Sequence, residues 1–207
     1  YEILGKNLDG SILLDEMLKS DNKDGVSNIF NNFNSSVKFS IDQTYIDNSS
    51  YLNVLNGSLK FLNNNLVNLN LTADFADNKK LTFTIKTNVN NEKITTLFSD
   101  YPKPLVKRYK FIKGFEEGFL DFHSIKKNNV SKSVLKIDNF KVKEVPVLAK
   151  LLTLASLQGI ADLLTGEGIR FTDFEMIFSN KDKLMTIDEI YAIGPAISIM
   201  MDGYIES

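Results

Sequence analysis

The chain has 207 residues, of which 43% are hydrophobic and 24% are charged, and its formal net charge is −2. This composition is typical of a folded domain with a substantial core, and it excludes a chain that is disordered for lack of apolar residues. The sequence contains no cysteine, which excludes disulfides and thiolate metal sites but leaves the redox compartment open.

Charged residues are distributed unevenly along the chain. Residues 101–150 contain 12 Lys and Arg against 5 Asp and Glu, whereas residues 151–207 contain 3 against 9. A basic middle would suit an anionic partner, although such an imbalance most often marks a solvated surface. We interpret its densest part, Lys107–Lys113, as a solvated edge rather than a nucleic-acid site, because arginine is nearly absent and the chain is acidic overall.

The first predicted elements are a strand at Tyr1–Leu4, an amphipathic helix at Ser11–Leu18 and one more helical turn at Val26–Phe33. From Val37 onward the apolar period changes from that of a helix to that of a strand. Apolar residues then alternate with polar ones in four successive segments, which predicts half-buried strands with one apolar face each. These residues are Val37, Phe39 and Ile41; Leu59 and Phe61; Val67, Leu69, Leu71, Ala73 and Phe75; and Leu81, Phe83 and Ile85.

The second half is predicted to begin with a short helix at Asn91–Ser99 and a rigid connector at Tyr101–Pro104. Further strands follow, with short turns between them. This succession predicts a mainly β fold with a few short helices, in which the strands form an antiparallel meander with one apolar face. The predicted strands are Phe119–Ile125, Val134–Ile137, Phe140–Val142, Phe174–Phe178, Leu184–Ile187 and Ile197–Met201.

The most apolar segment is Val145–Leu164, which interrupts this series of strands. Its length would suit a membrane span, but Lys150, Gly159 and Asp162 interrupt it, so we interpret it as two short helices. Helices that are apolar on most sides must be covered by protein or lipid. They are expected to pack on the apolar face of the sheet, either as plain core helices or as a plug that contacts lipid.

Residues that could support catalysis are sparse. His123 is the only histidine and lies on a predicted strand, where a structural role is the more common one. The acidic pairs Glu116–Glu117 and Asp188–Glu189 are adjacent on strands and therefore point to opposite faces. The sequence carries no phosphate-binding loop and no calcium-loop motif. We expect a protein that is not an enzyme and that has no cofactor or metal.

The C-terminal third resembles the C-terminal region of AsmA-like proteins (the AsmA, YhdP and TamB types) of Gram-negative bacteria. In that family an apolar segment with the pattern LAxLLxLASLxGxxDxLxGxGIxF precedes strands with a Gly-Pro and a final Gly-x-Ile. The match is strong over residues 140–207, whereas over residues 1–140 only the order of helix and strands agrees. The matching residues are Leu148, Ala149, Leu151, Leu152, Leu154, Ala155, Ser156, Leu157, Gly159, Asp162, Leu163, Gly166, Gly168, Ile169, Phe171, Gly194, Pro195, Gly203 and Ile205.

This resemblance implies a long curved antiparallel sheet that forms an apolar groove, and a role in phospholipid transport and outer-membrane biogenesis. It also implies a periplasmic location, with tethering to the inner membrane by an N-terminal anchor upstream of Tyr1. Residues 1–207 are accordingly expected to be a single AsmA-like C-terminal segment of a longer chain. The residues expected to line the groove or to form the helix plug are Val67, Leu69, Leu71, Phe75, Leu148, Leu151, Leu152, Ile160 and Leu163.

Two other functions remain open at the level of sequence. One is a structural or protein-interaction module of the envelope whose groove is filled by its own helices and carries no lipid. The other is a polysaccharide-binding β-protein, which is less favoured because tryptophan is absent and the aromatic residues mostly alternate inward. Phospholipid and the inner membrane are the expected partners, and no nucleic acid is expected.

Overall fold

The computed structural model describes residues 1–11, 34–47, 50–63, 65–109, 112–143, 166 and 168–206. Eleven strands form one sheet in which the strand order follows the sequence, so the predicted β-rich character is confirmed. The strands are β1 (Glu2–Asp9), β2 (Ser35–Tyr45), β3 (Tyr51–Leu62), β4 (Asn65–Asp74), β5 (Lys80–Thr87), β6 (Lys93–Ser99), β7 (Phe115–Lys127), β8 (Val130–Val142), β9 (Ile169–Lys181), β10 (Leu184–Ile193) and β11 (Ser198–Glu206).

The chain divides into two compact units. Unit 1 comprises Tyr1–Phe98 with Ser124–Asn128, and unit 2 comprises Ser99–His123 with Asn129–Ser207. A short helix, α1 (Lys103–Tyr109), belongs to unit 2, and a single 3-10 turn (Ala76–Asn78) joins β4 to β5 in unit 1.

The first strand pair departs from the predicted antiparallel meander. β1 runs parallel to β2, with Glu2 opposite Lys38 and Asp9 opposite Tyr45. The pairs β2–β3, β3–β4, β4–β5, β8–β9, β9–β10 and β10–β11 are antiparallel, as expected. A parallel pair needs a crossover connection, because its second strand must start again at the same end of the sheet. The connecting residues 12–33, including most of both predicted helices, lie outside the described residues.

Unit 1 has the alternating pattern that the sequence predicts. Apolar residues stand directly opposite one another across four strands in the row that runs from Val37 on β2 to Ile85 on β5. The intervening members of this row are Leu59 and Leu69, and Leu69 is only 1% exposed. On the opposite face, Ser, Asn and Thr side chains follow the same register, as alternation on a pleated strand requires.

The predicted helix at Asn91–Ser99 is wrong, because Lys93–Ser99 forms β6. A turn between Asn88 and Glu92 starts the strand: the Asn88 N–H donates to the Glu92 carbonyl oxygen at 3.0 Å. Across β5 and β6, the hydroxyl oxygens of Thr84 and Thr96 lie 2.7 Å apart. The β-branched residues Ile94, Thr95 and Thr96 favour a strand, and this preference outweighs the apparent helical spacing.

The predicted rigid connector at Tyr101–Pro104 is instead the start of α1. Lys103 and Pro104 already belong to the helix, and the Val106 N–H donates to the Pro102 carbonyl oxygen at 2.9 Å. Proline is tolerated there because the first turn of a helix leaves its N–H groups without intrahelical partners. The basic residues Lys107 and Arg108 therefore lie on a helix, and Lys107 is exposed. Whether this basic segment has a role beyond solvation stays untested.

The two strands predicted at Val134–Ile137 and Phe140–Val142 are one continuous strand, β8. Ile137 and Phe140 are both buried although they are three residues apart. Asn139, which lies between them, has a positive φ of 53°. This local distortion of the strand returns Phe140 to the buried face. The break in alternation that suggested two strands is thus an irregularity within one.

The apolar segment Val145–Leu164 falls within residues 144–165, which lie outside the described residues. The predictions of two helices, of their packing on the sheet and of a plug therefore stay predictions. Among the residues that are described, no helix is long and apolar enough to cross a membrane.

Candidate functional site

Two neighbouring rows of side chains define the two faces of unit 2. In the first row, Leu135, Met176, Ile190 and Met201 stand directly opposite one another on β8, β9, β10 and β11. In the second row, the residues next to them in sequence, Lys136, Glu175, Tyr191 and Met200, stand opposite one another in the same way. Successive side chains on a strand point to opposite faces, so these rows lie on opposite sides of the sheet. The first row is apolar, and the second, which we call the polar row, is polar except for Met200, which is 76% exposed.

Further rows extend the apolar side, which we call the apolar face of unit 2. Leu135 and Ile137 on β8 show that this face is the buried side of the sheet at β8, because both residues are buried. The register carries the same face outward to the edge strand β11 through bulky apolar residues on β9 and β10. Its members are Leu135, Ile137, Phe174, Met176, Phe178, Ile187, Ile190, Ala192, Ile199 and Met201.

Exposure increases across the apolar face of unit 2 from β8 to β11. Ile137 is 1% exposed, Met176 and Ile190 are half-buried, and Met201 is 52% exposed. Ile205, further along β11, is also 52% exposed. Exposure of apolar side chains to water is unfavourable by about 25 cal/mol per Å² of apolar surface, and a ligand that covers them recovers this free energy. The β10–β11 side therefore offers apolar surface to a ligand, whereas β8 does not.

An aromatic cluster closes the other part of this face. The ring centroids of Phe140 and Phe171 lie 5.2 Å apart, and those of Phe140 and Phe115 lie 5.4 Å apart, both pairs being stacked. Phe174 meets the Phe140 ring edge-on at 6.3 Å. Such aromatic contacts stabilise by about 0.5–1.5 kcal/mol each beyond their buried area. The cluster makes the beginning of β9 a rigid part of the core.

A recess of about 720 Å³ adjoins β10 and β11. Most of its lining lies on the side opposite the apolar face, and only Ile187, Met201 and Gly203 belong to that face. The residues of the opposite side include Leu184, Thr186, Met200, Tyr204 and Glu206. The register of β10 shifts between Ile187 and Ile190, which is a bulge that locally distorts the ladder. The recess thus combines apolar side chains with carboxylates at its border.

The polar row is held together by one shared carboxylate. The Lys136 Nζ lies 2.7 Å from the Glu175 Oε2, and the Tyr191 hydroxyl donates to the same oxygen at 3.2 Å. The hydrogen bond and charge of Glu175 raise the pKa of Lys136 above its ordinary value. Desolvation, followed by the charge of Glu175, raises the pKa of Tyr191. With these raised pKa values, Lys136 stays protonated and Tyr191 stays neutral at neutral pH, which suits a solvated polar face.

The single histidine lies on the same polar side. His123 is exposed on β7, and a recess of about 320 Å³ is lined by His123, Asp121, Val134, Lys136 and Glu175. Its carboxylates are too few or too far apart for a cation, since no group of three or more His, Asp or Glu side chains able to hold a metal ion occurs among the described residues. The arrangement contains no nucleophile held by a base.

Of the groove residues predicted in unit 1, Leu69, Leu71 and Phe75 share the buried face, whereas Val67 lies at a register shift between β3 and β4. Leu69, Leu71 and Phe75 are 1%, 8% and 3% exposed, and Val67 is half-buried. Their contact with lipid stays a prediction. The predicted plug residues belong to the segment outside the described residues, so the structure brings neither set together with the other.

Sequence analysis missed the open part of the apolar face. Ile199 and Met201 were recognised as strand residues, but nothing in their alternation distinguishes a buried strand from an exposed edge strand. The one available signal was the pair Met200–Met201, because two adjacent large apolar residues on a strand must place one on each face.

Comparisons of the chain with protein-family models, with curated proteins and with solved structures find no match. The resemblance to AsmA-like proteins, and the function that it implies, therefore stay predictions.

Proposed function

We propose that this protein is a non-enzymatic lipid-handling protein that shields or moves phospholipid along the apolar face of its sheet. In this proposal acyl chains lie against β9, β10 and β11, while headgroups stay in water beyond the edge strand. The resemblance to AsmA-like proteins adds the expected setting: the periplasm, with a tether to the inner membrane and a part in outer-membrane biogenesis.

One observation supports this proposal above all, namely the gradient of exposure from Ile137 to Met201 along a continuous set of apolar rows. A face that served only as a core would be expected to end in polar side chains at its edge strand. Here β11 continues the apolar pattern with Ile199, Met201 and Ile205, all at least partly accessible. Exposed apolar surface that is continuous with a core is typical of binding sites for apolar ligands.

The energetics suit a hydrocarbon chain. Burial of each CH₂ group contributes about 0.8 kcal/mol, so about six methylenes laid against this face contribute about 5 kcal/mol before entropic costs. Met176 and Met201 are flexible and polarizable, and such side chains adapt to ligands of varied shape. On β10 and β11 this face is lined by apolar side chains, whereas the polar side chains on the same side, Ser131, Ser133 and Asn180, lie on β8 and at the end of β9.

The alternative is a structural or interaction module whose core is filled by the protein itself. The burial of Leu69, Ile137 and Ile169, each 1% exposed or less, favours this alternative for the central part of each unit. The two proposals differ over β9–β11, where one expects lipid and the other expects either water or a protein partner.

Purification without detergent, followed by solvent extraction and mass spectrometry, separates these proposals. We expect phospholipid to co-purify with the wild-type protein and to be largely lost from Met201→Asp, which places a charge in the apolar row. Met200→Asp is the matched control, because it places the same charge on the same strand in the polar row. Folded wild-type protein without phospholipid, or equal loss from both variants, would overturn the proposal and favour the self-filled module.

A further inference from the structure

One end of unit 2 is strongly basic. The strand register places the start of β7, the end of β8 and the start of β9 together: the Lys143 N–H donates to the Gly114 carbonyl oxygen at 2.9 Å, and Val142 stands opposite Ile169. The turn after β10 lies at this end too, since a Cβ on Gly194 would touch the Arg170 carbonyl group. We call this region the basic end: described residues 100–117, 140–143, 168–171 and 193–198.

Cations outnumber anions at the basic end by seven to three. The anions are Asp100, Glu116 and Glu117. The cations are Lys103, Lys107, Arg108, Lys113, Lys141, Lys143 and Arg170. Asp173 stands opposite Ile193 at the border of this end, and Asp138 stands opposite Asp173. With these two border residues counted, the described cations still outnumber the anions by seven to five.

Glu116 and Glu117 are engaged by neighbouring cations. The Lys103 Nζ lies 2.6 Å from the Glu116 Oε2, and Glu117 is 3.0 Å from the Lys141 Nζ and 3.7 Å from an Arg170 guanidinium nitrogen. The lysine and hydrogen bonding around Glu117 hold the pKa of that carboxylate below its usual range, so its charge persists at neutral pH. Three further lysines at this end, Lys107, Lys113 and Lys143, are exposed, and the charge of Lys143 also contributes to lowering the pKa of Glu117.

Apolar groups lie beside these cations at the same end. Ile193 is 46% exposed and Pro195 is exposed, in a turn without charged residues. Thr172 ties this turn to β9 by donating its hydroxyl to the Ile193 carbonyl oxygen at 3.0 Å. Exposed lysines next to exposed apolar residues suit the anionic headgroups and acyl boundary of a membrane, where each basic residue near the surface adds to the attraction.

We infer that the basic end of unit 2 docks on an anionic phospholipid surface. A nucleic acid is the less suitable partner, because five of the seven cations are lysines and Tyr101 is the one exposed aromatic side chain in the described part of this end. This inference is independent of lipid cargo: it requires a membrane surface outside the protein, not a phospholipid on the apolar face.

The test is co-sedimentation of the purified protein with vesicles, about one third phosphatidylglycerol and the rest phosphatidylcholine. We expect binding that weakens strongly as salt is raised from about 0.1 M to about 0.5 M. Added salt shortens the Debye length and so screens the attraction between the exposed lysines and the anionic headgroups. The triple variant Lys107→Gln, Lys113→Gln, Lys143→Gln should bind at least about tenfold more weakly, given the contribution of each cation near an anionic surface.

A matched variant separates location from net charge. Lys38→Gln, Lys60→Gln, Lys132→Gln removes the same charge from exposed strand positions elsewhere and should bind vesicles like the wild type. Circular dichroism would establish that both variants are folded. Equal weakening by the two variants, no binding to these vesicles, or preference for a DNA duplex over vesicles at equal salt would each overturn the inference. Loss of vesicle binding with retained co-purified phospholipid would leave the proposed cargo function intact.

Discussion

Phe39 on β2 lies directly over Gly57 on β3, its opposite residue in the antiparallel register. A Cβ on Gly57 would stand only 2.7 Å from the Phe39 Cε1 and 2.6 Å from the Leu71 Cδ2. Gly57→Ala should therefore destabilise unit 1 by about 1–3 kcal/mol, because an aromatic ring and a packed leucine would both have to shift. A urea titration followed by circular dichroism measures this change.

Gly203→Ala provides the control for that prediction. Gly203 also lies in a strand, but a Cβ there would meet nothing within 4 Å. This variant should be neutral or slightly stabilising, since alanine reduces the entropy of the unfolded chain. If both alanine variants had the same effect, the close approach of Phe39 to Gly57 would be contradicted.

Val54 adopts a backbone conformation that its side chain opposes. Its φ is 48°, in the left-handed region, and its side chain is 51% exposed, so packing offers little compensation. Val54→Asn should raise the stability of the protein by about 1 kcal/mol, because asparagine tolerates this region and a β-branched residue does not. Val130→Asn, on a strand with ordinary φ, should instead be neutral or destabilising. A lower unfolding midpoint for Val54→Asn than for the wild type would contradict this account.

The ion pairs of Glu117 predict a dependence of stability on pH. The hydrogen bond from Lys141, assisted by the charges of Lys141 and Arg170, lowers the pKa of Glu117 below the ordinary 4.5. A carboxylate whose pKa is lower in the folded state stabilises above the unfolded-state pKa, and this contribution is lost as pH falls through the folded-state pKa. Stability should therefore decline below about pH 4.5.

Glu117→Gln should flatten part of that decline. The expected result is a smaller difference between the urea midpoints at about pH 6 and about pH 3 than the wild type shows. Because Glu117 is mostly exposed and screened by solvent, the difference should be modest. Glu206→Gln, at the exposed end of β11, serves as the control. An unchanged pH profile in Glu117→Gln would show that the pair with Lys141 does not contribute.

The central strand of unit 1 should not tolerate charge on its apolar face. Leu69→Asp with Leu71→Asp should prevent folding, because unpaired charges buried at 1% and 8% exposed positions cost several kcal/mol each. Asn70→Asp with Thr72→Asp, on the exposed face of the same strand, should fold normally. Far-UV circular dichroism separates the outcomes. A folded Leu69/Leu71 variant that has lost co-purifying phospholipid would instead identify this face as part of a lipid path.

Most strands of this fold could be predicted from local alternation. The segment from Val67 to Phe75 and the strands around Phe83 and Phe122 needed only the period-two pattern, because each has one buried and one solvated face. β6 could not be predicted in this way, because Ile94 and Leu97 also fit the i, i+3 spacing of a helix. What decides between them is the hairpin that pairs Thr96 with Thr84, a contact between different segments.

The direction in which strands pair, and which strand lies at the edge of the sheet, could not be predicted from the sequence pattern. The strand at Ile3 was predicted, but alternation does not specify whether its neighbouring strand runs parallel or antiparallel to it. On β11, the sequence could show that Met200 and Met201 face opposite ways, yet not which of them joins the apolar row. That assignment required the register through Ile190 and Met176 to the buried Leu135.

Photo-crosslinking at two neighbouring positions tests most directly whether phospholipid lies on the apolar face. A photoreactive amino acid would replace Met201 in one variant and Met200 in the other, and lipid adducts would be quantified by mass spectrometry after irradiation of detergent-free protein. The two positions share a strand and differ in the face on which they lie. We predict phospholipid adducts at position 201 and few or none at position 200. Equal labelling at both positions, or none at either in folded protein, would contradict the account.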